Sequence, residues 1–353
     1  MKLAEELDGK NRYGWRFVNC GNWEGRGDDP GDIGTGVGQG GKRKSLEKTL
    51  GMTSSAKGRH SSRKTKGLPG DLKWVKEDLT DSYNSMAPVQ DTAQVHPFLF
   101  TTTMLSLAQE KGVKFLQGKA TSVQTANGRA SGVVYSSADG VEGVLPASQV
   151  IVAAGPWSSQ LLPALPVSAT RAHSVTIHPP VSVTIAPYVL FTEITIPSAT
   201  RMGTKVVTPE IYVRPDNEVY ACGPGDDSPL PGTVDEVVVD REACDAIHQH
   251  VISISQELRD GKIDKRQACF LPIVGMGDGP IIGEASQITK GLYIATGHTC
   301  WVCISRDLSL NWSDVYAQGI CNAPGTAKAI VELVMEAKVS CAKLQKLDPA
   351  RFL

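Results

Sequence analysis

Two stretches decide the fold, the sequence GLYIATGHTCW at residues 291–301 and the sequence GICNAPGTAKAIVELVMEAK at residues 319–338. The first begins with an apolar run, Leu292–Ala295, which is typical of a buried strand. Gly297 and His298 follow at once and indicate a turn at the end of that strand. The first stretch therefore predicts a strand that runs into a glycine-containing turn.

The second stretch predicts a helix. Pro324, Gly325 and Thr326 are residues that open helices, and residues 329–335 are good helix formers. A strand, a glycine-rich turn and a helix together bring backbone N–H groups and the positive end of a helix dipole near an electron-rich ligand. An ordinary turn between a strand and a helix is the alternative.

The segment at residues 302–318 separates these two stretches, with the sequence VCISRDLSLNWSDVYAQ. It is polar and has no clear hydrophobic period. A valine codon begins with GT and a glutamine codon can end in AG, which are the usual boundaries of an intron, so we hypothesise a retained intron. A genuine surface loop is the competing interpretation, because long loops cost little entropy.

A second strand and turn precede them at residues 148–162, in the sequence SQVIVAAGPWSSQLL. Val150–Val152 is a buried-type run, and Ala153–Gly155 supplies small residues for a tight turn before a helix. A helix at residues 98–111, a short strand at 113–116 and a three-stranded meander at 120–145 are also predicted. These elements indicate one Rossmann-like half.

The remaining organisation is uneven. We expect a severed N-terminal piece at residues 1–27 and a disordered Gly/Ser-rich basic linker at 28–70, which lacks large apolar residues. Residues 71–163 and 266–340 form the Rossmann-like part, and the β-branched residues of 164–265 predict a β-rich domain. One helix from about Glu242 to Leu258 packs beside that sheet, through the stripe Cys244, Ile247, Val251, Ile254 and Leu258.

Composition excludes several partners. The chain has 353 residues, 41% of them hydrophobic, and a net charge of −1. It is long enough for a real core, its charge gives no reason to expect nucleic acid, and no apolar run approaches the length needed to cross a bilayer. Because targeting signals are not evident, the expected location is the cytoplasm.

The cysteines do not form a disulfide framework, which suits a reducing compartment. Cys300 and Cys303 make a lone C-x-x-C, which also occurs in redox and zinc sites. Because no second pair exists, we expect no metal. A hydrolase using Ser158 or Ser174 is a weaker alternative, since the G-x-S-x-G elbow is absent.

The ordered segments of the chain resemble a known family. They are QACFLPIVGMGDGPIIGE at residues 267–284, PVSATRAHSVTI at 166–177, TAQVHPFLFTTTM at 92–104, PEIYVRPDNEVYACG at 209–223 and the stretches above. Together they resemble fungal members of the D-amino-acid oxidase or glycine oxidase superfamily of FAD-dependent oxidoreductases. The resemblance covers most of residues 71–301 and 319–340. It implies a mixed α/β (α+β) fold, an FAD-binding domain and a β-rich substrate domain.

The resemblance also implies a chemistry and a set of site residues. Such enzymes transfer a hydride from a carbon bearing an amine to flavin N5, and the cofactor supplies the reactivity. His298 becomes the candidate catalytic residue, and Arg171, Tyr212 and Arg214 become candidate anchors for a small-molecule substrate. The implied FAD-contacting residues are Ala154, Gly155, Trp157, Gly283, Gly297, His298, Gly319, Ile320, Pro324, Gly325 and Thr326.

One part of the family pattern is not recognised in this sequence. Relatives open with a strand, a G-x-G-x-x-G turn and a helix that bind the FAD pyrophosphate, so we expect the first βαβ unit to be missing. Gly36, Gly38 and Gly41 match that spacing, but no apolar strand precedes them, which favours a flexible linker. Without that unit we expect the chain to bind FAD weakly or not at all and to be inactive as an enzyme. The alternative function is therefore a flavin-free interaction protein in endosome-to-Golgi trafficking, with endosomal membrane association and a late-endosomal location.

Overall fold

The computed structural model describes residues 1–28, 67–197, 203–275, 279–299 and 319–353. Its mixture of helices and sheets confirms the predicted mixed α/β fold class. Three predicted features lie outside the described residues: the insertion at 302–318, the C-x-x-C motif and the glycine motif at 36–41. Most of the predicted linker at 28–70 does so as well.

Seven α-helices and sixteen strands occur within these residues. The helices are α1 (Lys2–Glu6), α2 (Gly9–Tyr13), α3 (Pro97–Glu110), α4 (Ser158–Leu161), α5 (Arg241–Ile252), α6 (Gln256–Arg259) and α7 (Gly319–Glu336). The strands are β1 (Arg16–Phe17), β2 (Asn19–Arg26), β3 (Thr80–Ala87), β4 (Ala93–Gln94), β5 (Gly118–Ala126), β6 (Arg129–Ser137), β7 (Glu142–Pro146), β8 (Val150–Val152), β9 (Val167–His178), β10 (Tyr188–Pro197), β11 (Thr204–Val207), β12 (Glu210–Val213), β13 (Val219–Asp226), β14 (Lys262–Val274), β15 (Ile281–Glu284) and β16 (Leu292–Thr296).

The largest sheet has eight strands in the order β14-β9-β13-β12-β10-β2-β3, and β11 pairs with β10. Strand β2 pairs in parallel with β10, from Asn19 opposite Tyr188 to Arg26 opposite Thr195. Residues 1–27, expected to be a severed piece, therefore supply an interior strand of this sheet. Strand β3 also belongs to it, although we assigned residues 71–163 to the Rossmann-like part.

The core of the large sheet lies on one face. Side chains on β12 point alternately to the two faces of the sheet. Ile211 and Val213 therefore point into a cluster with Val175 and Ile177 of β9. Helix α5 covers this face with Cys244, Ile247 and Val251 of the predicted apolar stripe, and all five members of the stripe are buried. The single helix predicted to reach Leu258 is interrupted, because the Ser255 hydroxyl accepts a hydrogen bond from the Leu258 N–H and begins α6.

Two three-stranded sheets and the two-stranded sheet β1-β4 complete the described part of the fold. The meander β5-β6-β7 confirms the prediction for residues 120–145, and β15-β16-β8 contains the two predicted apolar strands. The strand predicted at 113–116 does not form. The Val113 N–H bonds back to the Ala108 carbonyl, and Phe115 remains 60% exposed. Residues 113–116 therefore form an exposed segment after the end of α3.

Candidate functional site

Two turns meet at one edge of the small sheet. Strands β8 and β16 are parallel, with Val150 opposite Leu292, so their carboxyl ends lie on the same side. The turn at 153–155 follows β8, and Gly297 and His298 follow β16. The carboxyl edge of parallel strands is the place where α/β proteins bind ligands. The two predicted turns are thus brought together at a suitable position.

A chain of buried hydroxyl groups joins these turns. The Ser158 hydroxyl donates to Thr296 Oγ1 at 2.8 Å, and the Thr296 hydroxyl donates to the Gly155 carbonyl at 2.9 Å. Both side chains are buried, so losing one partner would leave a costly unpaired group. Because its proton is donated to Thr296, Ser158 is not paired with a histidine base, as a hydrolase nucleophile would be.

The glycines of the two turns differ in what surrounds them. Gly155 has φ +52° and no heavy atom within 4 Å of the place where a Cβ would lie. Gly297 has φ +80°, and a Cβ there would be 2.3 Å from Val274 Cγ2. Gly297 is therefore required by packing, whereas Gly155 has open space beside its backbone and Ala154 before it is exposed.

Helix α7 approaches the same edge. A Cβ on Gly319 would lie 3.2 Å from the Thr299 carbonyl oxygen, and His298 Nε2 is 3.0 Å from Thr326 Oγ1. The prediction that Pro324 opens the helix is wrong, because Pro324 lies inside Gly319–Glu336. The part of α7 that faces His298 is consequently its second turn.

His298 lies partly buried at the end of β16. Burial lowers its pKa from the ordinary histidine value, because desolvation disfavours the charged form. The neutral ring is therefore favoured, with one nitrogen that donates a hydrogen bond and one that accepts. Its contact with Thr326 fixes the ring at the end of β16.

Trp157 links this edge to the large sheet. Its indole N–H donates to the Pro231 carbonyl at 2.9 Å, and its ring meets the Phe270 ring edge-on at 6.4 Å between centroids. Gly283 does not belong to the turns. It lies within β15 opposite Ile294, where a Cβ would be 2.7 Å from Pro349 Cδ, so packing against the C-terminal segment explains this glycine.

Of the three predicted substrate anchors, Tyr212 and Arg214 both lie beside Tyr220, and Arg171 lies apart from them. Arg171 and Thr176 occupy opposite faces of β9, because they are five residues apart on one strand. Thr176 is opposite Tyr220, and Tyr220 is opposite Tyr212, so Tyr212 is on the face away from Arg171. The single sequence did not show this, because it did not give the register.

Both arginines already bind acidic partners. Arg171 Nε and Nη2 donate to the Asp226 carboxylate at 3.0–3.2 Å, and Nη1 donates to the Val238 carbonyl. Arg214 donates to the buried carboxylate of Glu218. Both guanidinium groups are thus paired with carboxylates of this chain, and their role as anchors stays a prediction.

Tyr212 has neighbours that sequence reasoning missed. Its hydroxyl donates to Glu210, and its ring lies 5.9 Å from the Tyr220 ring and 6.4 Å from the Phe191 ring, centroid to centroid. Arg214 lies over Tyr220, 4.8 Å from its centroid. The alternation of β12 was a usable signal for Glu210, but its partners depend on strand register.

One group in the described residues resembles a metal site. Ligand atoms of His178, Glu218 and Asp264 lie within 4.8 Å of one another, and no ion is present. Lys265 Nζ is 3.0 Å from Asp264 and 3.7 Å from Glu218, so an ammonium group already compensates these carboxylates. We assign no metal to this cluster.

Comparisons with known proteins agree with this architecture. A family model described as FAD dependent oxidoreductase (DAO) matches residues 44–333. "Putative oxidoreductase TDA3" of Saccharomyces cerevisiae is 32% identical over 318 residues, which are 81% of this chain and 56% of that protein. "Putative oxidoreductase C1F5.03c" of Schizosaccharomyces pombe is 31% identical over 361 residues, covering 99% of this chain and 78% of that protein. The chain thus spans little more than half the length of the first relative.

Solved structures share the fold. Iminodiacetate oxidase from Chelativorans sp. BNC1 superposes with a TM-score of 0.62 at 20% identity, covering 99% of this chain and 80% of that chain. Glycine oxidase from Geobacillus kaustophilus gives 0.63 at 16% identity, covering 100% and 80%. The family match extends over most of the sequence, so this chain belongs to the DAO family of FAD-dependent oxidoreductases.

Proposed function

We propose that this chain binds FAD at the edge formed by the turns after β8 and β16, and oxidises a small molecule at a carbon bonded to nitrogen. The observation that carries the proposal is the meeting of these turns. The Thr296 hydroxyl joins the end of β16 to the Gly155 carbonyl, at the carboxyl edge of a parallel pair.

The residues at this edge fit a flat, electron-rich ring. Gly155 is in the left-handed backbone region with open space beside it, and a ring can approach its backbone without meeting a side chain. His298 and Thr326 bound the same edge from the side of α7. When bound, FAD would supply the two-electron acceptor for the carbon next to the amine nitrogen.

The protein's own contribution would be orientation and proton transfer. An amine must be unprotonated before its neighbouring carbon can lose a hydride. Burial lowers the pKa of His298, so its neutral imidazole would accept the ammonium proton only transiently and release it to solvent, while Thr326 holds the ring in place. The remaining residues of this edge, including Ala154, Trp157 and Ile320, would form the walls of the cofactor site.

The choice of a CH–NH donor is supported by the structural relatives. Iminodiacetate oxidase and glycine oxidase are named for nitrogen-containing substrates, and L-proline dehydrogenase from P. horikoshii superposes with a TM-score of 0.61 at 15% identity. At such identities these structures establish the fold, and the substrate class is our proposal.

The test is flavin binding followed by reduction. The full chain is titrated with FAD, and the bound flavin is then exposed to primary and secondary amines without oxygen. We expect saturable binding and amine-dependent bleaching of the flavin absorbance. A chain that is folded by circular dichroism but shows no saturable binding would contradict the proposal.

The flavin-free role in endosomal trafficking stays a prediction, as do the cytoplasmic and late-endosomal locations. None of the helices in the described residues has the length and hydropathy needed to cross a bilayer. The structure describes no feature that favours this second function over the first.

A further inference from the structure

We propose that Glu332 is a positioning residue for the site at the end of β16. Its carboxylate binds the C-terminal segment, residues 340–353, to helix α7, and this keeps the Thr326 side chain of α7 against His298. The effect on FAD rests on the proposed function, whereas the effect on His298 needs no cofactor.

One carboxylate oxygen of Glu332 accepts three hydrogen bonds from the C-terminal segment. The Ser340 N–H donates to Oε2 at 2.6 Å, and the Ser340 hydroxyl and the Cys341 N–H each donate to it at 3.0 Å. Hydrogen bonds to a carboxylate are roughly twice as strong as those between neutral groups. The Ser340 and Cys341 N–H groups lower the pKa of Glu332 to about 2, so this carboxylate is charged at neutral pH.

Helix α7 buries little apolar surface of its own. Ala329 and Ile330 are its buried residues, while Val331 and Met335 are 58% and 77% exposed. Helices in proteins are stabilised mainly by packing of an apolar face. An 18-residue helix with so narrow a buried face therefore depends on further contacts for its position.

The C-terminal segment supplies such contacts and joins α7 to the small sheet. Leu344 and Leu347 pack against the cluster that contains Ile330 of α7 and Ile282 of β15. The Leu347 carbonyl accepts a hydrogen bond from the Ile282 N–H at 2.7 Å. The segment is thus fixed to β15 by Leu347 and to α7 by Glu332.

The turn between α7 and the segment supports this role for Glu332. Ala337 has φ +53°, a left-handed conformation that is unfavourable for a residue with a Cβ. Such a conformation persists where the surrounding structure constrains it. The hydrogen bonds from Ser340 and Cys341 to Glu332 close the chain around Ala337 and supply that constraint.

Both elements that the segment joins reach the proposed cofactor edge. Ile281 of β15 is opposite Thr296 of β16, and Thr326 Oγ1 of α7 is 3.0 Å from His298 Nε2. Glu332 follows Thr326 by six residues on the same helix, which is about 9 Å along its axis. A displacement of α7 at Glu332 therefore also displaces Thr326 from His298.

The first test uses the full chain without cofactor. The pKa of His298 is measured by NMR titration of its ring C–H signal, which is assigned by its absence from the spectrum of His298→Asn. Hydrogen exchange of residues 340–353 is followed by mass spectrometry. The chains compared are the wild type, Glu332→Gln, Ser340→Ala and Glu336→Gln, which alters an exposed carboxylate at the end of α7 and is the matched control.

Glu332→Gln keeps an acceptor oxygen but removes the charge. We expect it to speed exchange of the C-terminal segment about tenfold and to raise the His298 pKa toward about 6.5, because water reaches the ring. Ser340→Ala removes one of the three donors and should shift both quantities in the same direction by less, which keeps the test valid if Glu332→Gln fails to fold. Glu336→Gln should change neither.

Two outcomes would overturn the proposal. Unchanged exchange in Glu332→Gln would show that the carboxylate does not hold the segment. Faster exchange with an unchanged His298 pKa would show that Glu332 stabilises the C-terminal segment without positioning Thr326.

FAD titration separates this proposal from the proposed function. We expect Glu332→Gln to weaken FAD binding about fivefold, because only chains with Thr326 in place are competent to bind. If no chain binds FAD while Glu332→Gln raises the His298 pKa, the positioning role stands and the proposed function is wrong. If all four chains bind FAD with one Kd and share one His298 pKa, the proposed cofactor stands and the positioning role is wrong.

Discussion

The large sheet and the small parallel pair are stabilised in different ways. Trp23, Ile177 and Ile211 of the large sheet are fully buried in one cluster, to which helix α5 contributes Cys244, Ile247 and Val251. At the carboxyl edge of β8 and β16, Ala154 is exposed and Gly155 is held by one chain of hydroxyl groups. Stability and cofactor binding should therefore respond to different substitutions.

The largest effect is expected in the core of the large sheet. Ile211→Ala removes a fully buried side chain and leaves a cavity, which should lower the free energy of unfolding by about 2–5 kcal/mol. Val206→Ala on β11, where the side chain is 55% exposed, is the control. Urea unfolding measures both, and equal losses would show that the large sheet is not the stabilising core.

A smaller loss is expected when the hydroxyl chain is broken. Thr296→Val leaves the Ser158 hydroxyl and the Gly155 carbonyl without their partner, at a cost of about 1–3 kcal/mol. Thr204→Val at an exposed strand end is the matched control. In an FAD titration, Thr296→Val should bind the cofactor more weakly than the wild type, and Thr204→Val should bind it like the wild type. Unchanged stability and unchanged FAD affinity of Thr296→Val would together exclude a positioning role for the hydroxyl groups.

Gly155→Ala tests the site with a modest effect on folding. A side chain at φ +52° costs about 1–2 kcal/mol. Gly128, with φ +72° and equally open space, carries the same backbone cost in the turn between β5 and β6. Gly155→Ala and Gly128→Ala should therefore shift the melting temperature alike. A much larger shift for Gly155→Ala would mean that this turn is packed and not open.

The smallest effect concerns pH. Burial lowers the pKa values of His96, His248 and His298, so the folded chain binds these protons less readily than the unfolded chain. Below the unfolded pKa of about 6.5, the unfolded chain takes up protons that the folded chain does not. The free energy of unfolding is therefore unaffected by these histidines above that pH and falls as pH drops below it. Unfolding of the wild type and of His248→Asn between pH 7.5 and 5.5 should show a shallower loss for the variant. Parallel curves would contradict a neutral, buried His248.

Local patterns predicted the parts of the fold that depend on local sequence. The apolar runs of β8 and β16 and the stripe of α5 follow from hydrophobic periodicity. The face occupied by Arg171 and the partners of Glu210 depend on register between strands far apart in sequence. Gly283 was assigned to the cofactor, yet its packing against Pro349 depends on where the C-terminal segment docks.

FAD titration of the wild type, Gly155→Ala and Gly128→Ala, with flavin fluorescence as the readout, tests whether the cofactor lies beside the turn after β8. We expect saturable binding by the wild type and Gly128→Ala with the same Kd, and binding at least about tenfold weaker by Gly155→Ala, because a Cβ would occupy the space beside the turn. No saturable binding by the folded wild type, or one Kd for all three chains, would contradict it.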